Sequence, residues 1–139
     1  MNTEKRLKYK PQSDFSLIAI ATSEDAYRLS WLINQAAGIR LTRTEPLKIW
    51  HKSLENPGEF MCYEHTNELG KAVYRLVANR SVNGFLEKEY KQFDFFLQCF
   101  DLPEKASREL MEILKREKDI LTASLISNPG NNLTQKLMM

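Results

Sequence analysis

The run Phe15–Ala21, FSLIAIA, is apolar on both faces of an extended chain. Alternate side chains of a strand point to opposite faces, so such a strand has to be covered on two sides. A second stretch, Phe93–Phe100, makes a similar demand. Phe93, Phe95, Leu97 and Cys99 form one wholly apolar face, and Asp94, Phe96, Gln98 and Phe100 share the other. Helices on one side of a sheet would cover the first face. What covers Phe96 and Phe100 is then the open question, and a homodimer through the sheet would answer it.

The remaining pattern supplies the helices and further strands. Thr22 and Ser23 offer N-cap hydroxyls, and Glu24 and Asp25 follow where the helix dipole favours acids. Ala26, Leu29, Ile33, Ala36 and Ala37 recur at helical spacing, and Gly38 supplies the left-handed stop. The alternating segment from Ile39 reads as a half-exposed strand broken by Pro46, and Asn56-Pro57-Gly58 as a turn. Glu59–His65 and Ala72–Asn79 predict a hairpin, followed by a turn at Asn83-Gly84. Asp101 and Glu104 form a capping-box pattern with Pro103 in the first turn of a helix predicted from about Leu102 to Ser124. Its stripe is Ala106, Leu110, Ile113, Leu114, Ile120 and Leu121, with Glu104–Arg108 and Glu112–Arg116 as i,i+4 pairs. The expected fold is α+β: strand, helix, four strands, helix, an antiparallel sheet with both helices on one face. That order resembles half of a TATA-binding-protein-like fold.

At 139 residues the chain suits one domain and can bury a core without disulfide or metal. The reading is a basic arm over residues 1–12, a single domain over 13–125, and a disordered tail over 126–139. Twenty basic against 18 acidic residues leave a net charge of +2, too balanced to imply nucleic acid or an anionic membrane. No apolar run reaches the ~18 residues of a membrane span. Met1–Gln12 holds no apolar core segment, so the chain is expected in the cytoplasm with Cys62 and Cys99 reduced.

The stretch GFLEKEYKQFDFFL resembles the signature of the IPExxxVDY family of small Bacteroidetes proteins. Glu89 and Asp94 match its Glu and Asp; Phe93 stands for its Val, Phe95 for its Tyr, and Glu87-Lys88 for its Ile-Pro. FSLIAIATSEDAYRLSWLINQAAGIRLTR is similar to the family's opening strand and helix, and LVANRSVNG to the segment before its motif. The resemblance covers roughly residues 13–122. It implies the domain boundaries and a bacterial cytoplasmic setting, and it implies no activity.

No catalytic residue is assigned. Glu89 and Asp94, five apart, would fall on opposite faces of one strand, whereas acid–base pairs must face one bond. Asp94 reads as a structural ion pair or cap. Cys62 and His65 alternate across a strand, and His51 and Cys99 lack spaced partners, so neither a metal nor a cofactor is expected. No phosphate loop is present. Two binding readings remain. Tyr27, Trp31, Phe96 and Phe100 could form a protein interface, with Trp50, Tyr63 and Tyr74 as further aromatic candidates. Arg40, Arg43, Lys48 and Lys52 with Trp50 could form a nucleic-acid stripe, extended by Arg75 and Arg80, although interspersed glutamates favour a solvated strand face. The expected function is a non-catalytic protein-interaction module, self-association included, with nucleic-acid binding as the alternative.

Overall fold

The structure is a computed structural model and describes residues 15–50, 58–82 and 84–138. The arm over 1–12, His51, Lys52, the Asn56-Pro57 half of the first turn and Asn83 lie outside the described residues.

The fold is mixed α+β. β1 (Phe15–Ala21), α1 (Ala26–Ala37), β2 (Thr42–Ile49), β3 (Gly58–Thr66), β4 (Ala72–Ala78), the short β5 (Arg80–Ser81) and β6 (Gly84–Phe85), β7 (Phe95–Phe100), α2 (Glu104–Lys115), β8 (Thr122–Ile126) and α3 (Asn131–Leu137) follow in chain order. Six strands form one antiparallel sheet in the order β2-β3-β4-β7-β1-β8. β1 and β7 therefore sit inside it, each paired on both edges. No helix of the described residues is long and apolar enough to cross a membrane.

Two apolar layers enclose the sheet. On the first face Ile18, Ile20, Leu76, Phe95, Leu97 and Cys99 pack with Leu29 and Ile33 of α1 and Leu110 and Leu114 of α2. On the second face Leu17, Ala19, Phe60, Cys62, Val77 and Phe96 pack with Leu86, Phe93 and the α3 residues Leu133 and Leu137. The two expected helices, α1 and α2, thus share the first face, and a third, α3, covers the second. Of the tail over 126–139, expected to be disordered, the described residues 126–138 instead contribute the end of β8 and α3. The helix is pinned by polar contacts as well: the Arg75 guanidinium donates to the Leu137 carbonyl at 2.6 Å, and Lys136 Nζ donates to the Leu86 carbonyl at 2.7 Å. Leu133 and Leu137, four apart, were the legible signal of one amphipathic turn.

Other local expectations shift for identifiable reasons. Asp25 caps α1, its Oδ1 accepting from the Arg28 N–H at 2.8 Å. Thr22 is drawn away: its hydroxyl donates to the Asp119 carbonyl. Gly38 ends α1 at φ +69°, as its left-handed position demands. β2 runs through Pro46, with its register to β3 shifting between Thr44 and Leu47. An edge strand tolerates the missing N–H at such a bulge. α2 starts one residue after Pro103, with no side-chain cap, and ends at Lys115. The Glu104–Arg108 pair forms at 2.8 Å, whereas Glu112 and Arg116 make no ion pair with each other. Thr122–Ser124 leaves the predicted helix and, with Leu125 and Ile126, joins the sheet beside β1. Phe93 precedes β7, escapes its alternation, and packs on the second face.

Cys62 and Cys99 are buried, one in each layer. Burial pushes both thiols up, Cys99 from 9.0 to about 11. The folded state therefore holds the protonated thiol while the unfolded chain ionises it. The associated stability is intact below pH 9 and is lost as pH rises towards 11. Ellman's reagent at pH 8 is expected to label neither thiol in the folded protein and both after unfolding; rapid labelling of the native chain would contradict this burial.

Candidate functional site

The side chains of Asn79 and Asp94 build a structural knot around the turn that leads into β7. Asn79, fully buried, directly follows β4. Its Nδ2 donates to the Tyr90 and Phe93 carbonyls at 3.0 Å each, and its Oδ1 accepts from the Glu87 N–H at 2.9 Å. These bonds tie down the chain around a single 3-10 turn at Lys88–Tyr90. Asp94 closes the knot from the other side. Its Oδ2 accepts from the Thr22 N–H at 2.8 Å, and its Oδ1 pairs with Arg80 Nε at 2.6 Å. Both carboxylate oxygens are thus engaged in joining β1, β5 and β7. Glu89 is exposed on the turn, and Phe95 lies in the first core layer.

Among the described residues, no three His, Cys, Asp or Glu side chains gather as a metal set. His65 uses Nδ1 to accept the Arg40 N–H at 2.9 Å and packs against Tyr74.

The aromatic candidates divide. Phe96 is 0% exposed under α3 and the edge of Tyr90, so it offers nothing to a partner. This corrects its assignment to an interface: α3 supplies the cover that a second subunit was expected to provide. Phe100 is half-buried against Phe15, with ring centroids 5.8 Å apart. Tyr27 and Trp31, in contrast, are 71% and 44% exposed on α1. The Arg28 guanidinium lies 4.7 Å from the Trp31 ring centroid and reaches Glu24 and Asp119 at 4.0 and 3.9 Å, which steadies the indole.

These two rings stand over a groove of about 890 Å³ between α1 and the β2–β3 end of the sheet. Leu41, Met61 and Tyr63 contribute apolar lining, and Ser30, Asn34, Thr42 and Arg43 contribute polar atoms. Asn34 sets the separation of the walls. Its Oδ1 accepts from the Leu41 N–H at 2.7 Å and its Nδ2 donates to the Leu41 carbonyl at 3.2 Å, so α1 holds the start of β2. Arg43 sits opposite Tyr63 in the ladder, and its guanidinium donates to the Met61 sulfur at 3.6 Å. Among the described residues no carboxylate pairs with it. Asp25, at the groove's end, is occupied as the α1 cap. Such a lining can bind by burial plus one cationic contact. Met61 was missed from sequence, although its alternation with Tyr63 on a predicted strand places the two on one face.

A smaller cavity of about 410 Å³ shares Ala26 and Met61 with the groove and reaches Arg80 and Asp94.

The basic segment is less continuous than its sequence. Arg40, Arg43, Lys48 and Trp50 are exposed, but Lys48 faces Glu59 and Thr42 faces Glu64 across the ladder. Arg75 and Arg80 are engaged internally, Arg75 with Glu64 and Leu137 and Arg80 with Asp94. Comparison with protein-family models, with curated proteins and with solved structures finds no match to this chain.

Proposed function

We propose that the chain is a non-catalytic protein-interaction module whose contact surface is the α1/β2–β3 groove. The carrying observation is the pair of exposed rings, Tyr27 and Trp31, standing on a rigid helix beside an apolar groove. Exposed large aromatics at a groove are the residues that dominate interface energies, because they bury much area at little conformational cost. The unpaired Arg43 guanidinium completes the chemistry: the favoured ligand is a hydrophobic peptide segment carrying one carboxylate. The likeness to the IPExxxVDY signature belongs to the same proposal and adds no activity to it.

Selection from a displayed peptide library tests this reading. Enriched sequences should combine bulky apolar residues with an aspartate or glutamate. Trp31→Ala should weaken a selected peptide about 30-fold or more, the loss expected of a hot-spot aromatic, while circular dichroism stays unchanged. No enrichment, or peptides indifferent to Trp31→Ala, would reject the groove.

A second reading uses Arg40 and Arg43, both exposed and without a carboxylate partner among the described residues. It requires single-stranded RNA binding that weakens steeply with salt and a shallower salt slope in the Arg40→Ala/Arg43→Ala variant. The opposing Glu59 and Glu64 make it the weaker of the two.

A further inference from the structure

The sheet has two free edges, and they are built differently. β2 carries Arg43, Glu45, Pro46 and Lys48 and a register shift at its middle. Proline, charges and bulges on an edge strand block pairing with another chain. That edge is guarded.

The opposite edge is β8, Thr-Ala-Ser-Leu-Ile. It has no charge, no proline and an unbroken register with β1 from Thr122 to Ile126. Among the described residues no strand pairs with its outer side. An extended edge of this kind presents alternate N–H and C=O groups to solvent and is a template for strand addition. Leu121, just before it, is 74% exposed.

The geometry points to a second copy of the chain as the occupant, joined β8 to β8 in antiparallel register about a two-fold axis at Ser124. A closed two-fold dimer requires a self-complementary patch, and this strand meets the condition. The axis sets Ser124 against its own mate, Ala123 against Leu125, and Thr122 against Ile126. No charges meet. Ala123 and Leu125 belong to the α2 side of the sheet and Ile126 to the α3 side. Leu121, on the Ala123 side by alternation, lies diagonal to the mate's Leu125, within reach for long side chains. The half-buried Leu125 and exposed Leu121 of each copy are then covered together. A two-fold that continues the sheet runs perpendicular to it, so both α1/β2–β3 grooves open on the same face. Nine strand spacings separate β3 from its mate, about 40 Å. The dimer does not depend on the groove reading.

Sedimentation of the full chain from micromolar to millimolar concentration tests this, with circular dichroism as the folding check. The wild type should show a monomer–dimer equilibrium. Ser124→Lys and Ser124→Glu, which each place like charges on the axis, should each sediment as monomers, and their equimolar mixture should recover a dimer. Hydrogen exchange of the β8 amides should slow as wild-type concentration rises, a readout that needs no variant. A wild type that stays monomeric, a dimer unaffected by both substitutions, a mixture that remains monomeric, or β8 exchange independent of concentration would each overturn the proposal.

Discussion

Phe96→Ala is expected to lower the unfolding free energy by about 3–5 kcal/mol, the cost of deleting a fully buried phenylalanine. Phe96 lies between Ala19 and Val77 in the ladder, at the centre of the sheet's second face. Its ring meets Tyr90 edge-on at 5.9 Å and packs in the layer closed by Leu133 and Leu137. The truncation opens a cavity that neither the strand nor α3 can collapse into without losing other contacts. Since domains of this kind have about 5–15 kcal/mol in total, the variant should be near its folding limit. Urea unfolding measures the loss. A change under about 1 kcal/mol would instead be the behaviour of a surface residue, and would return Phe96 to the interface reading.

Asn79→Ala is the second large effect, about 3 kcal/mol, because three backbone groups lose their partner at once and each orphaned buried group costs roughly 1–3 kcal/mol. The affected groups are the Glu87 N–H and the Tyr90 and Phe93 carbonyls. Some of that cost is offset where water reaches the half-buried Glu87 and Tyr90. Asn79→Asp separates hydrogen bonding from volume. It is nearly isosteric, but it removes the two donors and turns a carboxylate oxygen towards two carbonyls, so it should destabilise at least as much as alanine. An aspartate variant as stable as the wild type would show that the knot is held by packing instead.

The need for cover on both sides of the sheet was readable because β1 is apolar on both faces and β7 carries Phe96 opposite its apolar set. α1 was readable from its period and from Gly38. The stretch after Lys115 was misread because Ile120 and Leu121 continue the α2 stripe in phase, and periodicity alone does not register that Thr122–Ile126 gains more as the partner of β1. α3 is a seven-residue helix, too short to stand on local propensity and held by tertiary burial of Leu133 and Leu137. Missing α3 is also what misplaced Phe96. In the candidate site, Tyr27 and Trp31 stood out because they fall off the apolar stripe of α1. Met61 and Arg43 did not, since their meeting with α1 depends on the register of β2 with β3 and on the Asn34 contacts. Asp94 was correctly read as paired, although its second partner, the Thr22 backbone, is 72 residues away in sequence.

The proposed binding surface is the groove between α1 and β2–β3. Its most direct test is an amide and side-chain chemical-shift titration with a selected hydrophobic, carboxylate-bearing peptide. Saturable shifts should be confined to Asp25–Asn34, Leu41–Arg43 and Met61–Tyr63, with the Trp31 indole among the largest. Shifts centred on any other surface, or none at saturating peptide, would contradict it.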